Sequence, residues 1–388
     1  MADFAEGKIQ AFVGPVELDA TDNLEEVIID FINGAEKSLD IAVQEIDSEK
    51  IAQAMIDASW RGIDVRVVVE HDYIFNKDFP EGLAKPLESE TEEEALRRAQ
   101  WEELRNPEYI KTNRDIHAAL LRNGIDVKAD YNLGHIFHQK FIVRDPRKNK
   151  ALPKTGVLTG STNFTWTGTH KNLNNVVIFN DRRITWEYKE EFEEIQSGVF
   201  GGSSSKHENK ASTFNLGGVP VQVLFAPDHA PELEIMKQIL KCQNQMRFAI
   251  FTFVGSSGID DAMIAIRRSG KSIRGVMDPG QGVKFWAATP WLHSEGIKLF
   301  FPRHTNKFGK LHHKLTVVDR DIVVAGSMNY SVPANEFNDE NIFIIGSPYD
   351  LDDDEGGPVD HDACNEIADF FNNEIERIIT DLSDPYIE

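Results

Sequence analysis

Short apolar runs alternate with helix-like stretches along this chain, and the same order of runs occurs twice. In the first half, apolar runs at 39–43 and 65–70 flank a helix-like stretch at 48–59. The second half repeats the order at 248–252, 258–268 and 273–278. Short runs of apolar and β-branched residues are typical of buried strands. The pattern therefore predicts a strand–helix–strand unit near the start of each half.

Longer amphipathic stretches at 183–196 and 364–382 close the two halves, with apolar residues recurring at helical spacing. Between the halves, a segment rich in Gly and Ser begins at Gly201 and is typical of a linker. We therefore predict a first half at 1–200, a linker at 201–215 and a second half at 216–388.

The first half carries an additional charged stretch at 88–105, which predicts a surface helix with charge pairs along its length. It could serve as a lid, as an oligomer contact or as a decorative insertion, and the sequence leaves these alternatives open.

One motif, His-x-Lys-x4-Asp, occurs once in each half and is followed each time by Gly-Ser-x-Asn. Repetition of both motifs in the same order indicates an internal duplication. The motif residues are His138, Lys140, Asp145, Ser161 and Asn163 in the first half, and His312, Lys314, Asp319, Ser327 and Asn329 in the second.

The spacing between the copies supports the duplication. The His, Lys and Asp positions are offset by 174 residues, and the Ser and Asn positions by 166, because the first copy has eight extra residues near 147–154. The offset of 166 continues downstream, where Asn174 aligns with Glu340.

These residue types suit phosphodiester cleavage. A phosphodiester is anionic, so a catalyst neutralises its oxygens, supplies a nucleophile and protonates the leaving group. Histidine titrates near neutral pH, and lysine is a compact cation. At positions i and i+2 of a strand, the two side chains project from one face. Two such pairs on one site would supply one imidazole as nucleophile and another as acid.

The paired motifs resemble those of the phospholipase D superfamily, and the resemblance covers nearly the whole chain. It implies an α/β fold of two pseudo-symmetric α/β/α sandwich halves, packed as an intramolecular pseudo-dimer with one site between them. It also implies a phosphohistidine intermediate, with no metal and no cofactor.

The resemblance also implies individual roles. His138 is expected to be the nucleophile and His312 the acid. The phosphate is expected to bind Lys140, Lys314, Asn163 and Asn329. Ser161 and Ser327 would support the site by hydrogen bonding, whereas Asp145 and Asp319 are interpreted as structural.

One position departs from the nuclease-type pattern, in which a glutamate thirteen residues after the motif serine orients a histidine. Glu340 matches that position, but the first copy has Asn174. A carboxylate raises imidazole basicity, whereas an amide only orients the ring. We therefore predict unequal pKa values for the two histidines. Which histidine Glu340 contacts is left open.

Composition limits the classes of function. Two cysteines, Cys242 and Cys364, cannot form a disulfide framework or a zinc cluster. No apolar run is long enough for a membrane span and no signal peptide is evident, so we expect a cytoplasmic protein without stable membrane insertion. Residues 350–388 carry −13 of the net charge of −23, a run that is typical of a solvated segment.

Three functions stay open. A nuclease acting on DNA or RNA is favoured by Glu340 and by basic residues near the motifs: Arg144, Lys171, Arg303, Lys307 and Lys310. A phospholipase D or phosphatidyltransferase would need an apolar surface, for which 282–293 is the candidate. A non-catalytic binding protein would have degenerate motifs. Phe164 and Tyr330 are predicted to be core residues. Five further histidines are predicted to lie at the surface: His135, His170, His293, His304 and His313.

Overall fold

The computed structural model describes residues 2–73, 107–132, 134–149, 152–203, 211–255, 257–346 and 358–387, with no side-chain detail for 107–111 and 203. The predicted surface helix at 88–105 lies outside the described residues.

Two mixed β-sheets form the framework, one from each half. The first sheet has the strand order β1-β2-β8-β7-β6-β3-β4-β5, and the second has the order β17-β13-β12-β11-β14-β15-β16-β10-β9. The first-sheet strands are β1 (Ala2–Phe4), β2 (Ile9–Gly14), β3 (Ser38–Val43), β4 (Asp64–Val69), β5 (Asp126–Ala129), β6 (Lys140–Arg144), β7 (Gly156–Gly160) and β8 (Asn174–Phe179). The second-sheet strands are β9 (Thr213–Leu216), β10 (Val219–Ala226), β11 (Gln245–Ile250), β12 (Ser272–Met277), β13 (Lys298–Pro302), β14 (Lys314–Val318), β15 (Ile322–Gly326), β16 (Glu340–Ile345) and β17 (Ser383–Pro385).

The two sheets share one topology. Strands β3, β4 and β5 are parallel, as are β11, β12 and β13, whereas β6 and β14 run antiparallel beside β3 and β11. Strand β17 is the exception, since it adds an edge to the second sheet alone. Strand β9 begins at Thr213, inside the segment predicted as a linker, and pairs with β10.

Helices begin where short polar side chains accept hydrogen bonds from otherwise unpaired backbone N–H groups. Ser48 caps the first turn of Glu49–Trp60, and Asp181 and Asp360 cap the two long closing helices. The last closing helix ends at Arg377, and its predicted final turn, Ile378–Leu382, is a π-turn. The helices are Leu24–Asn33, Glu49–Trp60, Pro107–Arg122, Trp166–His170, Arg182–Ser197, Pro231–Leu240, Ile259–Arg268, Pro279–Gly282, Thr289–Ser294, Val332–Glu336 and His361–Arg377.

The core explains why the halves stay together. Each half has its own outer apolar cluster under its outer helices, and a third cluster joins residues from both sheets and from the two long closing helices. Across this shared cluster, the ring of Tyr188 lies 5.1 Å from Phe141 and 5.1 Å from Phe225. Burial of large aromatic side chains is strongly favourable. The predicted α/β fold with two pseudo-symmetric halves is confirmed.

Candidate active site between the two halves

Both His-x-Lys pairs lie where β6 and β14 begin, and the structure buries all four side chains. His138, Lys140, His312 and Lys314 expose between 1% and 7% of their surface. The residue between each pair points away from it, because side chains alternate along a strand. Gln139 accordingly contacts Glu191 on the closing helix of the first half.

Backbone hydrogen bonds between the halves place the two pairs side by side. The His138 N–H donates to the Asp339 carbonyl at 3.0 Å, and the His312 N–H donates to the Leu173 carbonyl at 2.9 Å. These two bonds are equivalent under the pseudo-two-fold symmetry. The backbone of each motif histidine is therefore hydrogen-bonded to the opposite half.

Glu340 from the second half orients His138 of the first. The Nδ1 of His138 donates to Glu340 Oε2 at 2.7 Å, and the Ser327 hydroxyl donates to the same oxygen at 2.6 Å. The Nε2 of His138 is thereby left for substrate. The sequence left the partner of Glu340 open, and the contact crosses between the halves.

Asn174 from the first half orients His312 of the second. The Asn174 amide donates to the Gly168 carbonyl at 2.8 Å, which turns its Oδ1 toward His312 Nδ1 at 3.0 Å. The Ser161 carbonyl also lies 3.0 Å from this nitrogen. Since both neighbours are acceptors, Nδ1 carries the proton and Nε2 is free to exchange one with substrate.

Burial and positive charge dominate the electrostatics of the site. Burial lowers the pKa of His138 and His312 well below the usual 6.5, and the ammonium groups of Lys140 and Lys314 lower both further. Burial lowers the pKa of Lys140 to about 7 and that of Lys314 well below its usual value. Burial raises the pKa of Glu340 to about 8, against the opposing effect of the two lysines. An arriving phosphate would compensate this excess of positive charge. The pKa values of His138 and His312 shift in the same direction, so their predicted inequality stays a prediction.

The phosphate-binding candidates of the first half are held by a residue that sequence reasoning missed. Gln44 follows β3, and its Oε1 accepts from Lys140 Nζ at 3.3 Å and from Asn163 Nδ2 at 3.2 Å. In the second half, Phe251 takes the equivalent position. The only available signal in the sequence was its place directly after the predicted strand.

The side-chain oxygen of each motif asparagine can accept a hydrogen bond from a ligand. Within the described residues, the Oδ1 atoms of Asn163 and Asn329 are buried and lack a hydrogen-bond partner. Buried polar atoms are seldom left unpaired without a functional reason. Both positions therefore suit contact with a hydroxyl or water of a bound substrate.

The two motif aspartates lie away from the pairs and hold loops. The Asp145 carboxylate accepts the backbone N–H groups of residues 36, 37 and 38 at 2.7–2.9 Å. The Asp319 carboxylate accepts those of residues 243, 244 and 245 at the same range of distances. This geometry agrees with the structural interpretation of these residues.

Some expectations about basic and histidine residues were wrong. Arg144 is buried, with its guanidinium 3.8 Å from the Phe31 ring centroid, so it cannot attract nucleic acid. Arg303 is exposed, although it donates to the Ser383 carbonyl and pairs with Asp384. His313 was expected at the surface but is fully buried.

His313 contacts the first half at the interface. Its Nδ1 lies 2.9 Å from the Asn175 amide, and its Nε2 lies 3.5 Å from a Glu374 oxygen. Phe164 and Tyr330 are buried, as predicted.

Two acidic clusters outside the motifs could supply ligands to a metal ion. One contains Glu70, His71 and Asp72, and the other contains Glu191, Glu194 and Asp228. In the first, Glu70 already accepts the Phe137 N–H at 2.6 Å. We assign a metal to neither cluster.

The loop proposed as an apolar surface is exposed in part. Phe285 exposes 86% of its surface, and Val283 and Trp291 are also exposed, whereas Leu292 is buried. The helix Pro279–Gly282, which leads into this loop, begins close to the site, since its capping residue Asp278 accepts the Leu311 N–H beside His312. Among the described helices, none has the length and apolar character that crossing a membrane requires. The cytoplasmic location stays a prediction.

The chain is similar in sequence to known proteins. A family model described as "Cardiolipin synthase, PLD-like domain" matches residues 28–196 and 235–372. The mitochondrial cardiolipin hydrolase of Xenopus laevis is 31% identical over 110 residues, which are 28% of this chain and 50% of that protein. The chain thus spans about half the length of the curated relatives it matches.

Solved structures extend the likeness. The phosphatidylserine synthase of Haemophilus influenzae Rd KW20 superimposes with a TM-score of 0.63 at 13% identity, over 100% of this chain and 88% of that chain, which shows a shared fold. Nuc from Salmonella typhimurium, a phospholipase D family member, matches 44% of this chain and 99% of its own, with 19% identity and a TM-score of 0.36.

Proposed function

Because this chain belongs to the phospholipase D superfamily, we propose that it is a metal-independent phosphodiesterase that works through a covalent phosphohistidine. The observation that carries the proposal is the reciprocal arrangement of the halves. Glu340 of one half holds His138 of the other, and Asn174 holds His312, with both lysines beside the histidines. In this proposal the two histidines and the two lysines are catalytic groups, and Glu340 and Asn174 support the histidines.

The first step is displacement at phosphorus. The Nε2 lone pair of His138 attacks the phosphorus, and the bond from phosphorus to the leaving oxygen breaks. The bound phosphate offsets the lysine charges that lower the pKa of His312, so His312 carries a proton on Nε2 in the complex and gives it to that oxygen. Lys140 and Lys314 neutralise the non-bridging oxygens, and Asn163 and Asn329 hydrogen-bond around the phosphoryl group. Charge stabilisation of this kind is the largest single contribution to many enzymatic rate enhancements.

The second step returns the enzyme to its starting state. Neutral His312 takes a proton from a water molecule as the water oxygen attacks phosphorus. The phosphorus–nitrogen bond breaks, His138 is released neutral, and a phosphomonoester leaves. The Glu340 carboxylate suits the nucleophile, because it raises the basicity of the imidazole that it holds.

Nucleic acid is the substrate we propose first. Lys310 and Lys307 are exposed close to His312 in sequence, and Trp166 is half exposed beside Lys171, whose Nζ lies 5.3 Å from the indole centroid. Lysines interleaved with exposed aromatic rings suit single-stranded nucleic acid.

A phospholipid is the second candidate. The exposed Val283, Phe285 and Trp291 favour it, and so do the names of the family and of the curated relatives. Exposed apolar side chains beside a catalytic site are suited to the surface of a bilayer.

The experiment has two parts. Purified protein is incubated in EDTA with labelled single- and double-stranded DNA, RNA and phospholipid vesicles. Turnover of nucleic acid that persists in EDTA supports the first candidate, whereas head-group release with inert nucleic acid supports the second and rejects the first.

The covalent step is tested by trapping. The variant His312→Asn cannot protonate the leaving group well or activate water, so we expect labelled phosphate to accumulate on His138. His304→Asn, at an exposed position, is the matched control and should turn over normally. Label on His312 in the reciprocal variant His138→Asn would reverse the assignment of roles.

A further inference from the structure

The two half-sites differ at two equivalent positions next to the catalytic pairs. Gln44 and Phe251 are equivalent, since each donates its N–H to the residue between a motif His and Lys, at 2.9 Å in both halves. Ile136 and Lys310 are also equivalent, since each precedes its motif histidine by two residues and its carbonyl accepts an N–H from the opposite half.

Phe251 forms an aromatic wall beside His312. The two ring centroids lie 5.0 Å apart, and the Phe251 ring is partly exposed. Lys314 Nζ lies 5.0 Å from the Phe251 centroid, and Lys310 Nζ lies 5.7 Å from it. The first half has an amide in place of this ring and an isoleucine in place of the second lysine.

Lys310 is a cation available to a ligand. Its side chain is exposed, and none of the described carboxylates lies within ion-pair distance of its ammonium. Its charge nevertheless acts on the site, because it contributes to lowering the pKa of His312 and of Lys314. Its charge also acts on the carboxylates of Asp278 and Glu45, without an ion pair to either. An exposed ammonium at the mouth of an anion-binding site is therefore suited to a second anion.

We propose that the Phe251 ring and the Lys310 ammonium form the leaving-group subsite, which binds the nucleotide departing from phosphorus. The sugar of that nucleotide packs on Phe251, and the next phosphate of the strand lies on Lys310. The subsite rests on the proposed function, because it lies on the leaving side only if His312 is the acid. Lys171 lies on the same side of the site as Lys310, since its carbonyl accepts the N–H of Gly309, the residue before Lys310, at 2.9 Å.

The test uses the dinucleotide dTpdT, unmodified or with an added phosphate at its 5′ or its 3′ end. Product analysis identifies which nucleotide leaves. The wild-type protein should prefer the substrate whose added phosphate is on the leaving nucleotide. Lys310→Gln should reduce that preference about tenfold, as for the loss of one modest contact. The readout is the ratio of kcat/KM values between the dinucleotides, because the charge of Lys310 also acts on His312 and Lys314 and its removal changes the rate on all three alike.

Two further variants make the test specific. Lys307→Gln removes an exposed charge three residues away and should keep the preference. The double variant Ile136→Lys/Lys310→Ile moves the lysine to the other half, so the preference should move to an added phosphate on the retained nucleotide. Equal loss on all three dinucleotides in Lys310→Gln, or no loss, would overturn the subsite.

Failure of the proposed function gives a different result. Bis(p-nitrophenyl) phosphate reports the chemistry without a second phosphate. A wild-type protein that hydrolyses it but cleaves none of the dinucleotides would overturn nucleic acid as substrate, and the subsite with it. Cleavage of dinucleotides without any preference for an added phosphate would overturn the subsite alone.

Discussion

The two halves are most alike where they hold the backbone and least alike where they face the substrate. Asp145 and Asp319 each fix three backbone N–H groups, and Ser161 and Ser327 each accept the N–H of the residue that follows the orienting side chain. Around the histidines, by contrast, an amide in one half replaces a carboxylate or a ring in the other. The residues that both halves share hold the backbone of the site in place. The residues that differ give the two histidines different surroundings.

The difference also shows how a duplicated site becomes directional. A symmetric site would bind a phosphodiester equally well in either orientation. With Glu340 on His138, and with Asn174, Phe251 and Lys310 around His312, the two sides of the phosphorus are chemically distinct. Of the predictions that follow, the one for the orienting residues Glu340 and Asn174 exchanges two of the groups responsible.

The largest effect is expected from the two buried lysines. Lys140→Met and Lys314→Met should each lower kcat/KM on the order of 10³-fold, because each removes a charge that stabilises the transition state. Each should also raise the midpoint of thermal unfolding, since a buried ammonium is costly to desolvate. Steady-state kinetics and calorimetry measure both.

Exposed Lys307→Met is the control for both lysine variants. With bis(p-nitrophenyl) phosphate as substrate, which has no further phosphate for Lys307 to contact, it should change neither quantity. A lysine variant that keeps more than a tenth of the activity would show that its half contributes little to binding the phosphoryl oxygens.

The orienting residues should come next. Glu340→Gln should lower kcat about 100-fold, the upper range for residues that orient catalytic groups. It keeps a hydrogen bond to His138 but removes the ionisable carboxyl group, which can carry the negative charge that favours the imidazolium formed on attack. Asn174→Asp adds a carboxylate beside His312. Its loss of kcat should be about ten times smaller than that of Glu340→Gln. Single-turnover measurement of phosphohistidine formation separates the two, because Glu340→Gln, which acts on the nucleophile, should slow that step more than Asn174→Asp, which acts on the acid.

Equal effects of these two variants on the first step would contradict the division of roles. The matched variant Asn175→Asp lies next to Asn174 but contacts His313, away from the catalytic pairs. It should leave the rate of phosphohistidine formation unchanged.

The sequence predicted the duplicated parts well, because repetition is visible without coordinates. Two motifs at constant offsets indicated the duplication, and their resemblance to the phospholipase D superfamily implied the fold and a single site between the halves. It could not assign Glu340 to His138, because that contact depends on how the halves are docked. Gln44 and Phe251 were missed because neither belongs to the motif that repeats.

Local charge was the least predictable feature. Arg144 counted as a basic residue near the motif in the sequence, yet it is buried against Phe31, and the exposed Arg303 is already paired with Asp384. Long cationic side chains often pack along apolar surfaces or pair locally. A count of basic residues near a motif therefore says little about the field at the site.

The duplicated aspartates should affect stability equally. Asp145→Ala or Asp319→Ala leaves three backbone N–H groups without their acceptor, and each should cost about 2 to 3 kcal/mol of unfolding free energy. The activity per folded molecule should stay unchanged. Chemical denaturation with parallel kinetics checks both, and a loss of kcat without a loss of stability would place that aspartate in the chemistry.

The smallest expected effect is a shift in pH dependence. The pKa of His138 is lowered well below 6.5 by burial and by the charges of Lys140 and Lys314. A histidine with a lowered pKa stays neutral, and so nucleophilic, to lower pH. The acid limb of log kcat/KM should therefore lie below pH 6.5 in the wild-type protein.

Lys314→Met removes one of these charges, so the pKa of His138 should rise and the acid limb should move toward pH 6.5 in the remaining activity. Histidine titration by nuclear magnetic resonance assigns the shift to His138. Lys307→Met should leave the limb in place, because Lys307 is not among the charges that lower this pKa. A limb that stays in place or moves to lower pH in Lys314→Met would contradict the coupling of the two half-sites through their lysines.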